Sequence, residues 1–324
     1  MRYAHQIPGY DLASIIHSGI NTVVYRGIDQ STSQPVILKI LKPENSTPEV
    51  ITRIHHEYQI GKKLDHENIV KVLGLESYGN LLLLVFHDFG GKPLEELLGD
   101  SSFDIKTFLT IALQLAEALE YLHANSVIHK DVKPTNIIIN CDTQRVKLTD
   151  FSISSQLTKE TTAPTNPSLL EGTLAYMSPE QTGRMNRNLD YRTDFYSLGI
   201  TFYEILTGKL PFVSKDPLEL IYQHMARIAT PIQQFNSDIP DGIASIIHKL
   251  IAKNPEDRYQ SARGLVADLK ICLHQYSENR AITAFPPGRL DTKSQLDISQ
   301  KFYGREAQIN SLLHAFDRVS KGSR

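Results

Sequence analysis

The hydrophobic pattern of this chain changes period once, at Gly90-Gly91-Lys92-Pro93, and that break constrains the fold more than any other feature. Before it, apolar residues run as strands do: Val23-Val24-Tyr25, Val36-Ile37-Leu38-Lys39-Ile40 and the unbroken Leu81 to Phe86. One helix interrupts them over about residues 48–64. Thr47 can cap it, Pro48 suits its first position, and Ile51, Ile54, Tyr58 and Ile60 set an apolar side. After the break, Phe108, Ile111, Ala112, Leu115, Ala118, Leu119 and Leu122 recur every three or four residues, as a helix with one buried face requires. Strand-like pieces at Ile137-Ile138-Ile139 and Val146-Lys147-Leu148 precede a Thr- and Pro-rich stretch, 158–168, that reads as a loop. Helical patterns return over 194–206, 217–229, 240–252 and 261–274. The expectation is an α+β chain with a small β-rich lobe (1–86), a hinge (87–91) and a larger, mainly helical lobe (92–276). Polar residues around Pro286-Pro287-Gly288 mark 277–300 as a linker, and an amphipathic helix opens within 301–324.

Composition narrows the classes. A net charge of −2 gives no global pull toward nucleic acid or an anionic membrane. No apolar run reaches the roughly 18–20 residues of a membrane helix, and residues 1–10 lack a signal-peptide pattern. Cys141 and Cys272 stand far apart without metal spacing, so reduced thiols in a cytoplasmic protein are expected.

The polar residues that stand out are Asp131, Lys133 and Asn136 in Ile128-His129-Lys130-Asp131-Val132-Lys133-Pro134-Thr135-Asn136. An Asp can orient a hydroxyl and take its proton. A Lys two residues on can neutralise a phosphoryl group, and an Asn can offer Mg²⁺ a neutral oxygen. A polar loop with Asn136 capping a turn is the plain alternative. Asp150, in Leu148-Thr149-Asp150-Phe151-Ser152, ends an apolar strand, where a carboxylate could hold a cation or merely start a turn. Lys39 sits inside an apolar strand, which is costly unless it is paired or at an edge, and Glu57 on the next helix could pair with it.

Order decides between these alternatives. Lys39, Glu57, Asp131, Asn136 and Asp150 follow the sequence order of the protein-kinase signature. Residues from about 10 to 276 resemble a eukaryotic-like Ser/Thr protein kinase domain. The resemblance extends to Gly172-Thr173-Leu174-Ala175-Tyr176-Met177-Ser178-Pro179-Glu180, to Asp194-Phe195-Tyr196-Ser197-Leu198-Gly199 and to Asn254-Pro255-Glu256-Asp257-Arg258-Tyr259. It implies a two-lobed protein-kinase fold with ATP in the cleft and Mg²⁺, or Mn²⁺, as the metal. Lys39 would hold the α/β-phosphates and pair with Glu57. Asp131 would be the catalytic base, Lys133 would stabilise the phosphoryl group, and Asn136 and Asp150 would bind the metal. Thr173 would line the acceptor loop, Glu180 would pair with Arg258, and Asp194 would brace the catalytic loop. The adenine would hang near His87 to Phe89, with Phe86 behind it and Val24 above. Lys133 and Thr173 resemble Ser/Thr rather than tyrosine kinases, so protein Ser/Thr hydroxyls are the implied substrate.

The pattern also departs from the family. In His17-Ser18-Gly19-Ile20-Asn21-Thr22-Val23-Val24 only the middle glycine, Gly19, remains, which implies weaker or slower nucleotide binding. Ser152 replaces the usual Gly after Asp150-Phe151 and should stiffen that switch. Lys130 replaces an Arg whose bidentate fork grips a loop phosphate, so activity should depend less on phosphorylation at Thr161, Thr162, Thr165 or Ser168. These losses define a rival: a catalytically weak pseudokinase acting as a nucleotide-dependent regulatory module. Phe302-Tyr303-Gly304-Arg305-Glu306 and the helix after it look like the truncated start of an AAA-type ATPase domain. Gln181-Thr182-Gly183-Arg184-Met185-Asn186-Arg187 resembles large bacterial, cyanobacterial-type signalling proteins in which a kinase domain precedes ATPase, sensory and histidine kinase domains.

Overall fold

Five antiparallel strands make the sheet of the smaller lobe: β1 (Tyr10–Ser18), β2 (Thr22–Asp29), β3 (Pro35–Leu41), β4 (Val72–Tyr78) and β5 (Leu81–His87), in the order β1-β2-β3-β5-β4. The computed structural model describes residues 7–98, 103–156, 174–185 and 187–291. Thr161, Thr162, Thr165, Ser168, Thr173, Asn186 and residues 292–324 lie outside the described residues. The unbroken apolar run of β5 follows from its place between β3 and β4, where both of its faces are covered. Alternation sends Leu81, Leu83 and Val85 into a cluster with Val23, Tyr25, Leu38 and Ile40, and Leu84 and Phe86 into a second one with Val70 and Val72.

Helix α1 (Pro48–Gly61) crosses this lobe, with the Thr47 side chain accepting the Val50 N–H. It ends three residues before the periodic pattern does, because the Lys62, Lys63 and Leu64 N–H groups turn back to the Tyr58, Ile60 and Gly61 carbonyls. Gly61 lies so close to β4 that a Cβ there would collide with the Val72 side chain.

The larger lobe is built on α2 (Ile105–Ala124), capped by Asp104, and on the almost wholly buried α3 (Arg192–Thr207). Around them lie α4 (Pro217–Ala226), α5 (Asp241–Leu250) and α6 (Ala262–Asn279). Helix α4 stops at Ala226, short of the expected 229, because Arg227 is extended. Helix α5 begins after Pro240, which serves as its N-cap, and α6 continues five residues past 274. Short strands β6 (Lys92–Pro93), β8 (Ile137–Asn140) and β9 (Arg145–Leu148) form one small sheet, and β7 (Val127–Ile128) pairs with β10 (Ser155–Gln156). Backbone bonds from Val70 N–H to the Leu148 carbonyl (3.0 Å) and from Leu148 N–H to the Asn68 carbonyl (2.9 Å) stitch the lobes together.

The folded unit continues past α6. Asp291 accepts the Gln260 N–H at 2.6 Å and the Ser261 hydroxyl at 2.7 Å. Asp268, buried in α6, accepts both the Tyr259 hydroxyl and the Gly288 N–H at 2.6 Å. Among the described residues no helix is long and apolar enough to cross a membrane.

Candidate active site

Lys39 stands in the middle of β3, paired with Val24 of β2 on one side and Leu84 of β5 on the other. Its ammonium lies 2.8 Å from Glu57 Oε2 and 3.3 Å from Asp150 Oδ1. The three groups come from β3, from α1 and from the turn after β9, so the contact needs the two lobes to face each other. Burial acts to lower the Lys39 pKa, but Asp150 and Glu57 outweigh it and hold it above the ordinary lysine value. Burial acts to raise Asp150; Lys39 and hydrogen bonds from Ser152 override it and hold the carboxyl well below the usual range.

Glu57 goes the other way. Burial pushes it up to about 7 against the pull of Lys39, helped by the negative charge of Asp150. Glu57 Oε1 is buried without a hydrogen-bond partner among the described residues, which makes its ionised form costly. Its folded value lies above the unfolded 4.5, so the folded state holds the extra proton between those values. The stability this proton contributes is present below about 4.5 and lost as the pH rises through about 7. The ionised form that pairs with Lys39 prevails only above that. Turnover is therefore expected to climb between about pH 6 and pH 8, and a pH profile of kcat/KM should lose this limb in Glu57→Gln. A Gln variant with an unchanged ascending limb would assign it to another group.

Asp131 sits in the loop between β7 and β8. Its Oδ2 lies 2.7 Å from Lys133 Nζ and accepts Asn136 Nδ2–H at 2.9 Å. The same amide donates to the Asp131 carbonyl at 2.9 Å. Asp131 Oδ1 is buried without a partner among the described residues. Two bridges tie this loop to the segment that leads from β9 to Asp150. The Asn136 carbonyl accepts the Thr149 N–H at 2.9 Å, and His129 Nε2–H donates to the Thr149 carbonyl at 3.0 Å. His129 Nδ1 accepts the Asp131 N–H at 3.2 Å, which sets the tautomer of the ring. The ring of Phe151 stands edge-on to His129, 5.0 Å between centroids. From below, Asp194 of α3 accepts the N–H groups of His129 (3.0 Å) and Lys130 (2.7 Å) and pairs with His123 (2.9 Å).

The residues at hand fit a hard divalent cation. Asn136 spends its N–H group on Asp131, which leaves its amide oxygen to serve with the Asp150 carboxylate. One carboxylate and one amide oxygen, completed by phosphate oxygens, are the donors such a cation takes in nucleotide sites. No group of three or more His, Cys, Asp or Glu side chains among the described residues could hold a metal alone.

Phe86 is buried at the end of β5, His87 next to it is exposed, and half-buried Phe89 packs on the cluster of Val70, Val72, Leu84 and Phe86. Ile138 of β8, whose type signals only a strand, packs on the same cluster and so joins the two lobes beside the hinge. Arg26 holds the hinge through Asp88 Oδ2 (2.6 Å) and the Gly91 carbonyl (2.9 Å).

Gly19 lies at the β1–β2 turn, its N–H bonded to the Thr22 carbonyl at 3.0 Å. A Cβ there would stand 3.2 Å from His17 Nε2, so any larger residue at 19 would require the exposed imidazole to shift by a few tenths of an ångström. Two residues that sequence reasoning did not single out hold this turn. Lys42 Nζ donates to the Gly19 carbonyl at 2.6 Å and Asn45 Nδ2 to the Ile20 carbonyl at 2.7 Å. Both belong to the connector between β3 and α1. Losing the Lys42 bond should free the turn at a cost of about 1 kcal/mol, roughly a fivefold rise in KM for ATP, with kcat little changed. Steady-state kinetics of Lys42→Met check this, and an unaltered KM would show that the bond does not hold nucleotide.

Comparison with known proteins agrees with this geometry. The protein kinase domain family matches residues 10–269. The chain is 30% identical over 305 residues to a probable serine/threonine-protein kinase of Clostridium acetobutylicum, covering 92% of this chain and 46% of that protein. It is 31% identical over 287 residues to serine/threonine-protein kinase PrkC of Bacillus subtilis, covering 88% and 42%. Against hybrid signal transduction histidine kinase G of Dictyostelium discoideum it is 31% identical over 311 residues, covering 69% of this chain and 9% of that protein. The chain thus spans less than half the length of these curated relatives. With a β-sheet lobe, a helical lobe and Lys39 in contact with both Glu57 and Asp150 between them, the chain belongs to the protein kinase family, whose members act on ATP with the help of a divalent metal.

Proposed function

We propose that this domain transfers the γ-phosphoryl group of Mg-ATP to serine or threonine hydroxyls of proteins in bacterial signal transduction. The observation that carries the proposal is the chain of contacts from Glu57 through Lys39 to Asp150, set beside an Asp131 carboxylate already held by Lys133 and Asn136. In this reading the hydroxyl oxygen attacks the γ-phosphorus in line, the bond to the bridging oxygen breaks, ADP leaves, and the hydroxyl proton passes to Asp131. Lys133, 2.7 Å from that carboxylate, would offset charge on the moving phosphoryl group. Lys39 orients the α/β-phosphates. Asn136 and Asp150 would hold Mg²⁺, which would supply positive charge against the phosphates. Phe86, His87, Phe89 and Val24 frame the adenine, and Gly19 covers the phosphates.

The likeness to a hybrid histidine kinase supports a second element of the proposal, a histidine kinase region attached to this domain; the ATPase and sensory domains of a cytoplasmic signalling protein rest on the resemblance of residues 181–187 and 302–306. Labelled ATP tests the central reading. Wild-type chain should label itself or a Ser/Thr peptide. Binding of Mg-ATP, seen as a thermal shift, with no labelling at any loop or peptide hydroxyl would instead select the pseudokinase.

A further inference from the structure

The peptide linking Lys130 to Asp131 is gripped at both edges. Its N–H, that of Asp131, donates to His129 Nδ1 at 3.2 Å, and its carbonyl accepts Gln181 Nε2–H at 2.9 Å. One residue back, Lys130 N–H is taken by Asp194 at 2.7 Å. Lys130 itself has φ of 69°, a left-handed backbone that is costly for a side-chain-bearing residue and persists where its surroundings over-determine it. Gln181 reaches this peptide from the far side of the site, the turn Pro179–Thr182. Its carboxamide cannot be reversed without loss, because Oε1 accepts the Ser178 N–H at 3.0 Å while Nε2 faces the carbonyl. The adjacent Glu180 is locked to Arg258 by bonds of 2.6 and 2.8 Å, so the turn is a fixed post.

We infer that Gln181 is a positioning residue for phosphoryl transfer: by holding the Lys130 carbonyl it sets the plane from which the Asp131 carboxylate projects toward the acceptor hydroxyl. The inference rests on the reading of Asp131 as the base. It assigns to the acceptor-side turn a direct bond to the catalytic loop. Glutamine suits the post because one side chain must accept from Ser178 and donate to Lys130 at the same time.

Peptide phosphorylation by the 324-residue chain tests it. Gln181→Met keeps the length and loses both bonds. Its kcat should fall about tenfold or more, with KM for ATP and the thermal midpoint close to wild type, since small misplacement of a reacting group is costly. Gln181→Glu keeps the acceptor for Ser178 but turns a carboxylate on the Lys130 carbonyl. Its kcat relative to wild type should rise as the pH falls from about 8 to about 6, because a protonated glutamate donates where the amide did. A Gln181→Met enzyme turning over within about twofold of wild type overturns the inference. So does a loss in both variants that merely tracks loss of folded protein, with no recovery in acid. Wild-type chain that labels no substrate takes down the phosphotransfer reading itself, a result visible before any variant is made.

Discussion

Asp131→Asn is expected to cut phosphoryl transfer by about 10³-fold while leaving the fold and Mg-ATP binding intact. The substitution keeps the shape of the side chain and an oxygen that Asn136 Nδ2–H can still meet. It removes what the proposed chemistry would draw on, a carboxylate able to take the hydroxyl proton, together with the charge partner of Lys133. Asp131 Oδ1 is buried without a partner among the described residues, so the fold invests nothing in that atom that a mutation would forfeit. The checks are phosphate incorporation, the thermal midpoint and the shift of that midpoint by Mg-ATP. Retention of a tenth or more of wild-type turnover would remove Asp131 from the role of base.

Arg258→Met should have the largest effect on stability, a loss of about 3–5 kcal/mol and a fall in the thermal midpoint of roughly 10 °C. Arg258 is fully buried, and its five N–H groups are all used. Nε–H donates to the Ala252 carbonyl at 2.8 Å. Nη1 serves Glu180 (2.6 Å) and the Arg192 carbonyl (3.0 Å), and Nη2 serves Glu180 (2.8 Å) and the Lys253 carbonyl (3.0 Å). The guanidinium also lies 4.9 Å from the centre of the Tyr196 ring. Removing it strands a buried carboxylate and three carbonyls, which is why the loss exceeds the worth of the pair itself. Adding Glu180→Met should restore part of it by removing the stranded charge. Calorimetry of the two single variants and the double variant decides. Equal midpoints for wild type and Arg258→Met would mean that water or a neighbour replaces the whole set.

The parts legible in the sequence are those in which residue type itself carries the signal. A lysine in an apolar strand announces a need for a carboxylate, and Lys39 has two. The period of α2 follows from its one buried face, and the continuous run of β5 from its two. Strand β1 was less visible because it lies at the sheet edge, mostly exposed, with register shifts between Leu12 and Ser14 and between Ile15 and His17 that break its alternation. Strand β4 carries Gly74, Glu76 and Ser77 in place of an apolar alternation. Lys42 and Asn45, and the bond that Gln181 makes, left no trace for another reason. Each acts on a backbone carbonyl, and a carbonyl has the same chemistry whatever residue it belongs to.

The missing side chain at Gly61 leaves room for the Val72 side chain against α1. Gly61 and Glu57 lie one turn apart on the same side of α1, and the glycine lets that side rest on Val72. A Cβ at this point would wedge the helix off the sheet and draw the Glu57 carboxylate away from the ammonium of Lys39. A side chain at a position that makes no contact with the site would thereby act on it at one remove, by loosening the Lys39–Glu57 pair.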